Sequence, residues 1–183
     1  MKPPEFLWKT RGRNHLFRRL FLTAVLLSTT AQAMERWDHR GAVGLLTAVG
    51  LDVQDRVKGE VATEQAGRFA GILGGTWAIG NDGNELKLFV QAFARGGTAW
   101  AISAGYRGYF GQERFKTFYD LDGRFDLSPV FTVGPRVGLG LQYEATQTIG
   151  VFAMLATRIG VGNGWAFSGE AFVGVQLRTY LLE

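Results

Sequence analysis

Few side chains able to do enzyme chemistry occur in this 183-residue sequence. It contains no cysteine, which excludes disulfides, thiolate metal ligands and a lipid anchor on an N-terminal cysteine. Of the two histidines, only His39 lies beyond residue 33. A multi-histidine metal site is therefore impossible, and a Ser/His/acid triad would have to form around His39. We predict no catalytic, cofactor-binding or metal-binding residue.

The residues most informative about the interior are a group of charged residues that lie among small residues. Counting back from a turn at Gly162-Asn-Gly164 places Arg158 opposite Ser168, and Ala156 opposite Glu170. The same counting through the two preceding turns places Arg136 opposite both Asp122 and Ala156. Charges inside a protein must be paired or hydrated, because an isolated one costs several kcal/mol. The sequence thus predicts an interior charge network that consists of Arg107, Asp120, Asp122, Arg136, Arg158 and Glu170.

Two-residue alternation defines the elements that must position these charges. From residue 42 onward, eight segments alternate apolar with small or polar residues, and no window keeps a helical period. The apolar residues of these segments span 43–53, 69–79, 86–94, 100–106, 115–125, 133–143, 149–161 and 167–181. Asn81–Asn84 and Gly162–Gly164 have hairpin-turn composition, and the longest link, Gln54–Gly67, is expected to be a solvated loop. This pattern predicts an all-β, eight-stranded antiparallel up-and-down (meander) barrel.

The second register indicates which face of the barrel is apolar. It is rich in glycine and alanine, which a water-exposed face would not favour but which a narrow lumen accommodates around a few large side chains. Aromatic residues in the apolar register lie mostly toward segment ends, where membrane barrels place interfacial girdles. These are Trp77, Trp100, Tyr106, Tyr119 and Tyr143. We expect a transmembrane β-barrel with its apolar side outside; the alternative makes these aromatics the core of a soluble protein.

Residues 1–33 have the three parts of a secretory signal peptide. A basic stretch through Arg19 precedes an apolar run, Leu20–Leu27, and Ala31-Gln32-Ala33 provides a cleavage site. The run is too short for a membrane-spanning helix, so a retained anchor is the lesser alternative. Residues 34–41 form a lead-in, and residues 42–183 form the barrel domain. Residues 34–183 carry 14 basic and 15 acidic side chains, a balance that argues against a nucleic-acid partner.

Over residues 42–182 the chain resembles the small outer-membrane β-barrel family of the outer-membrane protein A and X type. The resemblance rests on the signal peptide, the eight alternating segments and the short turns. It implies export through the general secretory route, contact with outer-membrane lipid, and periplasmic chaperones and the barrel-insertion machinery as partners during biogenesis. The family commonly ends in an aromatic residue, whereas here Tyr180 precedes the final Glu183 by three places.

These observations favour a non-enzymatic outer-membrane barrel with a polar, charge-paired interior and a structural or surface-interaction role. Three alternatives stay open. The barrel could be a small outer-membrane channel, or a periplasmic lipocalin-like barrel whose apolar register lines a lipid cavity. An outer-membrane enzyme is the third, because some proteins of this architecture modify lipids, although nothing in the sequence pairs a serine with a base. Neither a ligand nor the oligomeric state follows from the sequence.

Overall fold

The computed structural model describes residues 41–58, 61–79, 83–94, 98–111, 113–127, 131–162 and 164–180. The strands are β1 (Ala42–Lys58), β2 (Val61–Ile79), β3 (Asn84–Ala94), β4 (Thr98–Phe110), β5 (Phe115–Asp126), β6 (Thr132–Glu144), β7 (Ile149–Gly162) and β8 (Gly164–Tyr180). Within the described part of the chain, no helix has the length and apolar character needed to cross a membrane.

Every strand pairs with its neighbours in sequence, and β1 also pairs with β8, which closes the barrel. All pairs are antiparallel. Following the paired residues around the barrel from Gly44 on β1 leads back to Gln54, ten residues further along the same strand. This stagger tilts the strands and leaves an interior just wide enough to be filled by side chains. The predicted all-β meander barrel is confirmed.

The antiparallel meander gives the barrel two distinct ends. We call the end that holds Ala42 and Tyr180 the terminal end, and the opposite end, where β1 meets β2 and β7 meets β8, the loop end. Gly83 and Gly164 adopt positive φ angles of 69° and 130° beside two of the connections, as the hairpin composition at these sites requires.

The apolar register faces outwards along all eight strands. On β7, for example, Val151 and Leu155 are exposed, whereas the alternate residues Phe152 and Met154 are buried in the lumen. The lipocalin-like alternative is therefore wrong, because it requires the apolar register to line the cavity. An apolar exterior around a filled, polar interior is the arrangement of a transmembrane β-barrel.

The link between β1 and β2 differs from the expected solvated loop. β1 continues to Lys58 and β2 begins at Val61, with cross-strand pairs that run from Gln54↔Ala66 to Lys58↔Val61. The register shifts between Arg56 and Val57, which indicates a β-bulge. The charges of this segment suggested a loop, but the backbones of the two strands pair instead.

Candidate functional site: the barrel interior

Arg107 and Asp120 form a two-pronged salt bridge in the lumen. They are directly paired on β4 and β5, and Arg107 donates from Nε to Oδ1 at 2.8 Å and from Nη2 to Oδ2 at 3.0 Å. Lys87 on β3 also contacts Asp120, and its Nζ lies 3.0 Å from an oxygen of Asp122. All four side chains are buried. The two carboxylates of β5 are thus held by cations from the two preceding strands.

Arg136 connects this group to β8. Its Nη1 donates to Oδ2 of Asp122 at 2.6 Å, and its Nε donates to Oε2 of Glu170 at 2.7 Å. Glu170 also accepts from Arg124 on β5, which reaches across the lumen. The guanidinium of Arg136 therefore lies between two carboxylates whose strands are not neighbours in the barrel, and it links β5, β6 and β8.

Towards the loop end the alternation of charges continues. Arg124 donates from Nε to Asp126 at 3.0 Å, and Arg158 lies 2.5 Å from the other oxygen of the same carboxylate. On the opposite wall, Arg68 on β2 donates to Asp52 on β1 at 2.6 Å. We call the following ionic residues the loop-side network; all are buried except Arg68, which is partly buried: Asp52, Arg68, Arg124, Asp126, Arg136, Arg158 and Glu170.

Sharing of carboxylates is the common feature of these contacts. Asp120, Asp122, Asp126 and Glu170 each contact two cationic side chains. Desolvation of an ion is expensive, and only well-formed contacts with opposite charges and hydrogen-bond donors offset it. A network in which each carboxylate has two cationic partners meets that requirement, and removal of one cation leaves each of its carboxylates with a single partner.

A second polar cluster closes the terminal end of the lumen. Arg178 on β8 donates from Nε to Glu85 at 3.0 Å and from Nη1 to Glu144 at 2.8 Å. Its Nη2 donates to the hydroxyl of Tyr109 at 3.0 Å and to the amide oxygen of Gln176 at 2.9 Å. The full terminal cluster consists of Thr76, Glu85, Tyr109, Lys116, Gln142, Glu144, Gln176 and Arg178. It joins six of the eight strands.

An apolar layer separates the terminal cluster from the loop-side network. On β5, Phe118 lies between Lys116 and Asp120, and on β8, Phe172 lies between Glu170 and Gln176. The layer consists of Leu46, Ile72, Phe89, Phe118, Phe152 and Phe172, which belong to one buried cluster contributed by six strands. We call it the aromatic layer.

The guanidinium of Arg107 lies against this layer. Its Cζ is 3.9 Å from the ring centroid of Phe118 and 5.1 Å from that of Phe152, and the two rings lie edge to face at 6.2 Å. Cation–π contacts of this kind stabilise a desolvated cation. The layer thus supports the ionic network as well as filling the lumen.

Inward-facing glycines make room for the rings. A Cβ on Gly140 would collide with the ring of Phe118, and one on Gly174 would lie 2.6 Å from Cζ of Phe152. Gly50 stands in the same relation to Phe172, at 2.5 Å. The glycine-rich second register is therefore explained by the large side chains on adjacent strands, which use the space that the glycines leave.

The structure brings all six residues of the predicted charge network into the lumen. Arg107 contacts Asp120, and Arg136 contacts both Asp122 and Glu170. Arg158 is buried with them but pairs with Asp126 rather than with Glu170. The expected cross-strand pairs Arg158↔Ser168, Ala156↔Glu170 and Asp122↔Arg136 are present.

The predicted pairing of Arg136 with Ala156 is wrong by two residues. Arg136 lies opposite Arg158, and Gly138 lies opposite Ala156. The cause is the turn between β6 and β7, where Oγ1 of Thr146 accepts hydrogen bonds from the backbone N–H groups of Thr148 and Ile149. These bonds draw the two residues into the turn, so the strands pair from Glu144↔Gly150 onward.

Sequence reasoning missed more than half of the buried ionic residues. The missed members are Asp52, Glu85, Lys87, Lys116, Arg124, Asp126, Glu144 and Arg178. All of them lie in the inward register, so the strand pattern alone could have assigned them to the lumen. The inward phenylalanines of the aromatic layer were missed in the same way.

The five predicted interfacial aromatics all lie in the outward register. Trp77, Trp100 and Tyr143 are exposed, with Trp77 at 59%, whereas Tyr106 and Tyr119 are half-buried. Trp77 and Tyr143 lie at the terminal end and Trp100 at the loop end. The rings of Tyr106 and Tyr119 contact each other in a tilted arrangement, with their centroids 6.0 Å apart. The ring of Tyr119 also covers outward-facing Gly108, where a Cβ would clash with it.

The part of the chain that the structure describes has no evident metal centre. Among those residues no group of three or more His, Cys, Asp or Glu side chains is placed to hold a metal ion. His39 lies outside the described residues. What the arrangement does chemically is to fill and cross-link the lumen through buried ion pairs, and these features define a closed, eight-stranded transmembrane β-barrel with a filled interior.

No protein-family model and no curated protein sequence matches this chain. Solved structures of similar fold include Neisserial surface protein A (NspA), with 18% identity, a TM-score of 0.58, and coverage of 75% of this chain and 99% of that one. The N-terminal β-barrel domain of Pseudomonas aeruginosa OprF has 16% identity, a TM-score of 0.52 and coverage of 76% and 98%. Ail, the attachment invasion locus protein of Yersinia pestis, solved with the heparin analogue sucrose octasulfate, has 12% identity, a TM-score of 0.50 and coverage of 75% and 99%. The chain therefore has the fold of the small eight-stranded outer-membrane barrels, which confirms the resemblance at the level of fold.

Proposed function

We propose that this protein is an integral outer-membrane β-barrel with a structural or surface-interaction role, neither a channel nor an enzyme. The observation that carries the proposal is the filled lumen. The terminal cluster, the aromatic layer and the loop-side network succeed one another along the barrel axis, and their large side chains are buried. A conducting pore needs a continuous aqueous path, which this stack interrupts.

The outer surface supports residence in a membrane. Among the described strand residues that face outwards, one carries a charge, Asp55, and it lies near the loop end of β1. Along β2, Trp77 lies eight residue steps after Phe69, which at a tilt of about 40° corresponds to roughly 20 Å along the axis. That height approaches the roughly 25 Å apolar band between the aromatic girdles of outer-membrane barrels.

A surface-interaction role draws support from the loop end. β1 and β2 pair as far as Lys58↔Val61, well beyond the last described β2–β3 pair, Phe69↔Ala94. β1 is also paired with β8 as far as Val57↔Trp165, so the β1–β2 hairpin and the start of β8 together extend beyond the end of β3, where their backbone would be available to a partner outside the membrane. Two of the similar solved proteins are described as a surface protein and an attachment protein.

The route to the membrane is part of the proposal. The basic stretch, apolar run and Ala31-Gln32-Ala33 site of residues 1–33 support export through the general secretory route. Periplasmic chaperones and the barrel-insertion machinery would then act on the unfolded chain.

Three measurements test the proposal together. The folded protein in detergent is expected to migrate differently on a gel before and after boiling, and to fractionate with the outer membrane. In planar bilayers it is expected to give no steady conductance. Regular single-channel steps from protein of proven purity would replace the structural role with the channel alternative, and recovery in the soluble periplasmic fraction would refute membrane residence.

A further inference from the structure

The three buried glutamines of the lumen differ in their hydrogen bonding: two have partners within the protein and one has none. Gln91, Gln142 and Gln176 are each 0% exposed. In the terminal cluster, Nε2 of Gln142 donates to Glu144 at 2.9 Å, and Nε2 of Gln176 donates to Glu85 at 2.8 Å. Among the described residues, neither Nε2 nor Oε1 of Gln91 has a hydrogen-bond partner. A primary amide can take part in four hydrogen bonds, so a dry Gln91 would be costly.

The atoms around Gln91 show the same deficit. Ser103 lies on the adjacent strand β4 and directly faces Arg124 on β5. Within the described part of the chain, Oγ of Ser103 and Nη2 of Arg124 are buried without hydrogen-bond partners. Gln91 lies opposite Ile72 on β2 but opposite the small residue Ala101 on β4, the strand that also carries Ser103. Because an alanine side chain ends at Cβ, the β4 side of Gln91 is the side on which a small molecule such as water fits.

The distance between the side chains of Arg124 and Asp52 indicates that water lies between them. Nη2 of Arg124 lies 3.9 Å from Oδ2 of Asp52, too far for a direct hydrogen bond. Oδ1 of Asp52 is also buried without a partner among the described residues. A donor and an acceptor that face each other beyond 3.5 Å in a buried polar site are the usual setting for a bridging water.

We propose that the loop side of the lumen contains a water-binding chamber whose ligands are Gln91, Ser103, Arg124 and Asp52. One water bridges Nη2 of Arg124 and Oδ1 of Asp52, and others satisfy Gln91 and Ser103. The aromatic layer forms the floor of the chamber. Beyond that floor the terminal cluster is dry, because its glutamines and Arg178 find their partners within the protein. This inference concerns the lumen alone and does not depend on the proposed surface role.

The test is water-edited solid-state NMR on the wild-type protein in lipid bilayers, with side-chain ¹⁵N resonances resolved for glutamine and arginine. Magnetisation transferred from water at short mixing times is expected to reach the Gln91 amide and the Arg124 guanidinium several-fold faster than the Gln176 amide. Gln176 is the matched control, because it is the same group at the same exposure in the same barrel.

Either of two other NMR results would overturn the proposal. Equally slow transfer to Gln91 and Gln176 would mean that the chamber is dry. Equally fast transfer to both would mean that the whole lumen is hydrated and that the aromatic layer is no floor. A second measurement uses the absence of cysteine from the chain: Ser103→Cys should react with hydrated silver ions, whereas Thr76→Cys in the terminal cluster should not. Failure of Ser103→Cys to react in a correctly folded barrel would count equally against the chamber.

Discussion

Arg136 and Arg158 are directly paired on β6 and β7, yet their guanidinium groups bind different carboxylates. Arg136 contacts Asp122 and Glu170, whereas Arg158 contacts Asp126. Like charges in directly opposed positions destabilise a sheet unless each has its own counter-charge. Two opposed arginines therefore require more than one carboxylate at this level of the lumen. Substitution of a charged residue here is expected to disturb several contacts at once.

The orientation of the barrel wall predicts the effect of a charge on its outer face. Leu139 lies mid-strand on β6, is paired with Leu155 and is 64% exposed. Leu139→Arg is expected to lower the free energy of unfolding in liposomes by about 2 to 4 kcal/mol, because the charge would face hydrocarbon. The control is inward Gly138→Ser, whose Cβ would meet its neighbours at 3.3 to 3.4 Å and should cost much less. An unchanged stability for Leu139→Arg would show that the facing is wrong.

The glycines on the two faces of the wall should respond in opposite ways. Gly140→Ala inserts a methyl group against Phe118 and 2.6 Å from the carbonyl oxygen of Ala153, so we expect a loss of about 1 to 3 kcal/mol. Gly71→Ala on the outer face meets no atom within 4 Å and should be neutral or stabilise by up to about 1 kcal/mol. Urea unfolding in liposomes measures both. Equal effects of the two substitutions would contradict the packing of the aromatic layer.

Period-two alternation was sufficient to predict the strand order, the closure and the apolar exterior. Partner choice inside the lumen was not predictable to the same degree, because long side chains reach beyond their directly opposed residues. Lys87, for instance, lies opposite Gly105 on β4 but contacts Asp120 and Asp122 on β5. The register of β6 against β7 depended on Thr146, whose side-chain hydrogen bonds to the turn are invisible to residue counting.

The export route predicts tolerance in the leader. A barrel must reach the insertion machinery unfolded, whereas the twin-arginine route carries folded proteins. Changing Arg18 and Arg19 to lysine should therefore leave the amount of protein in the outer-membrane fraction unchanged. Leu26→Asp, which breaks the apolar run, is the contrasting variant and should block export. Loss of export in the double-lysine variant would indicate a folded cargo.

Removal of Arg136 tests whether the interior charges are packed or screened. Arg136→Met leaves Asp122 with Lys87 and Glu170 with Arg124, so neither carboxylate is left without a cation. We expect a loss of about 3 kcal/mol, the lower end of the range for a broken buried ion pair. A water-filled pore would screen these charges, and the same change would then barely alter the free energy of unfolding.

A double-mutant cycle on Arg136→Met and Glu170→Gln isolates the contact itself. The two groups are joined by a 2.7 Å hydrogen bond, so removing both should cost less than the sum of the single changes, with a coupling of about 1 kcal/mol. Arg136→Met combined with Glu85→Gln is the control, because Glu85 belongs to the terminal cluster and shares no partner with Arg136 among the described contacts. That pair should be additive to within about 0.5 kcal/mol. Urea unfolding in liposomes provides all the free energies. If the Arg136–Glu170 coupling is no larger than that of the control pair, the packed ionic interior is refuted, because two charges in contact in a poorly solvated lumen cannot act independently.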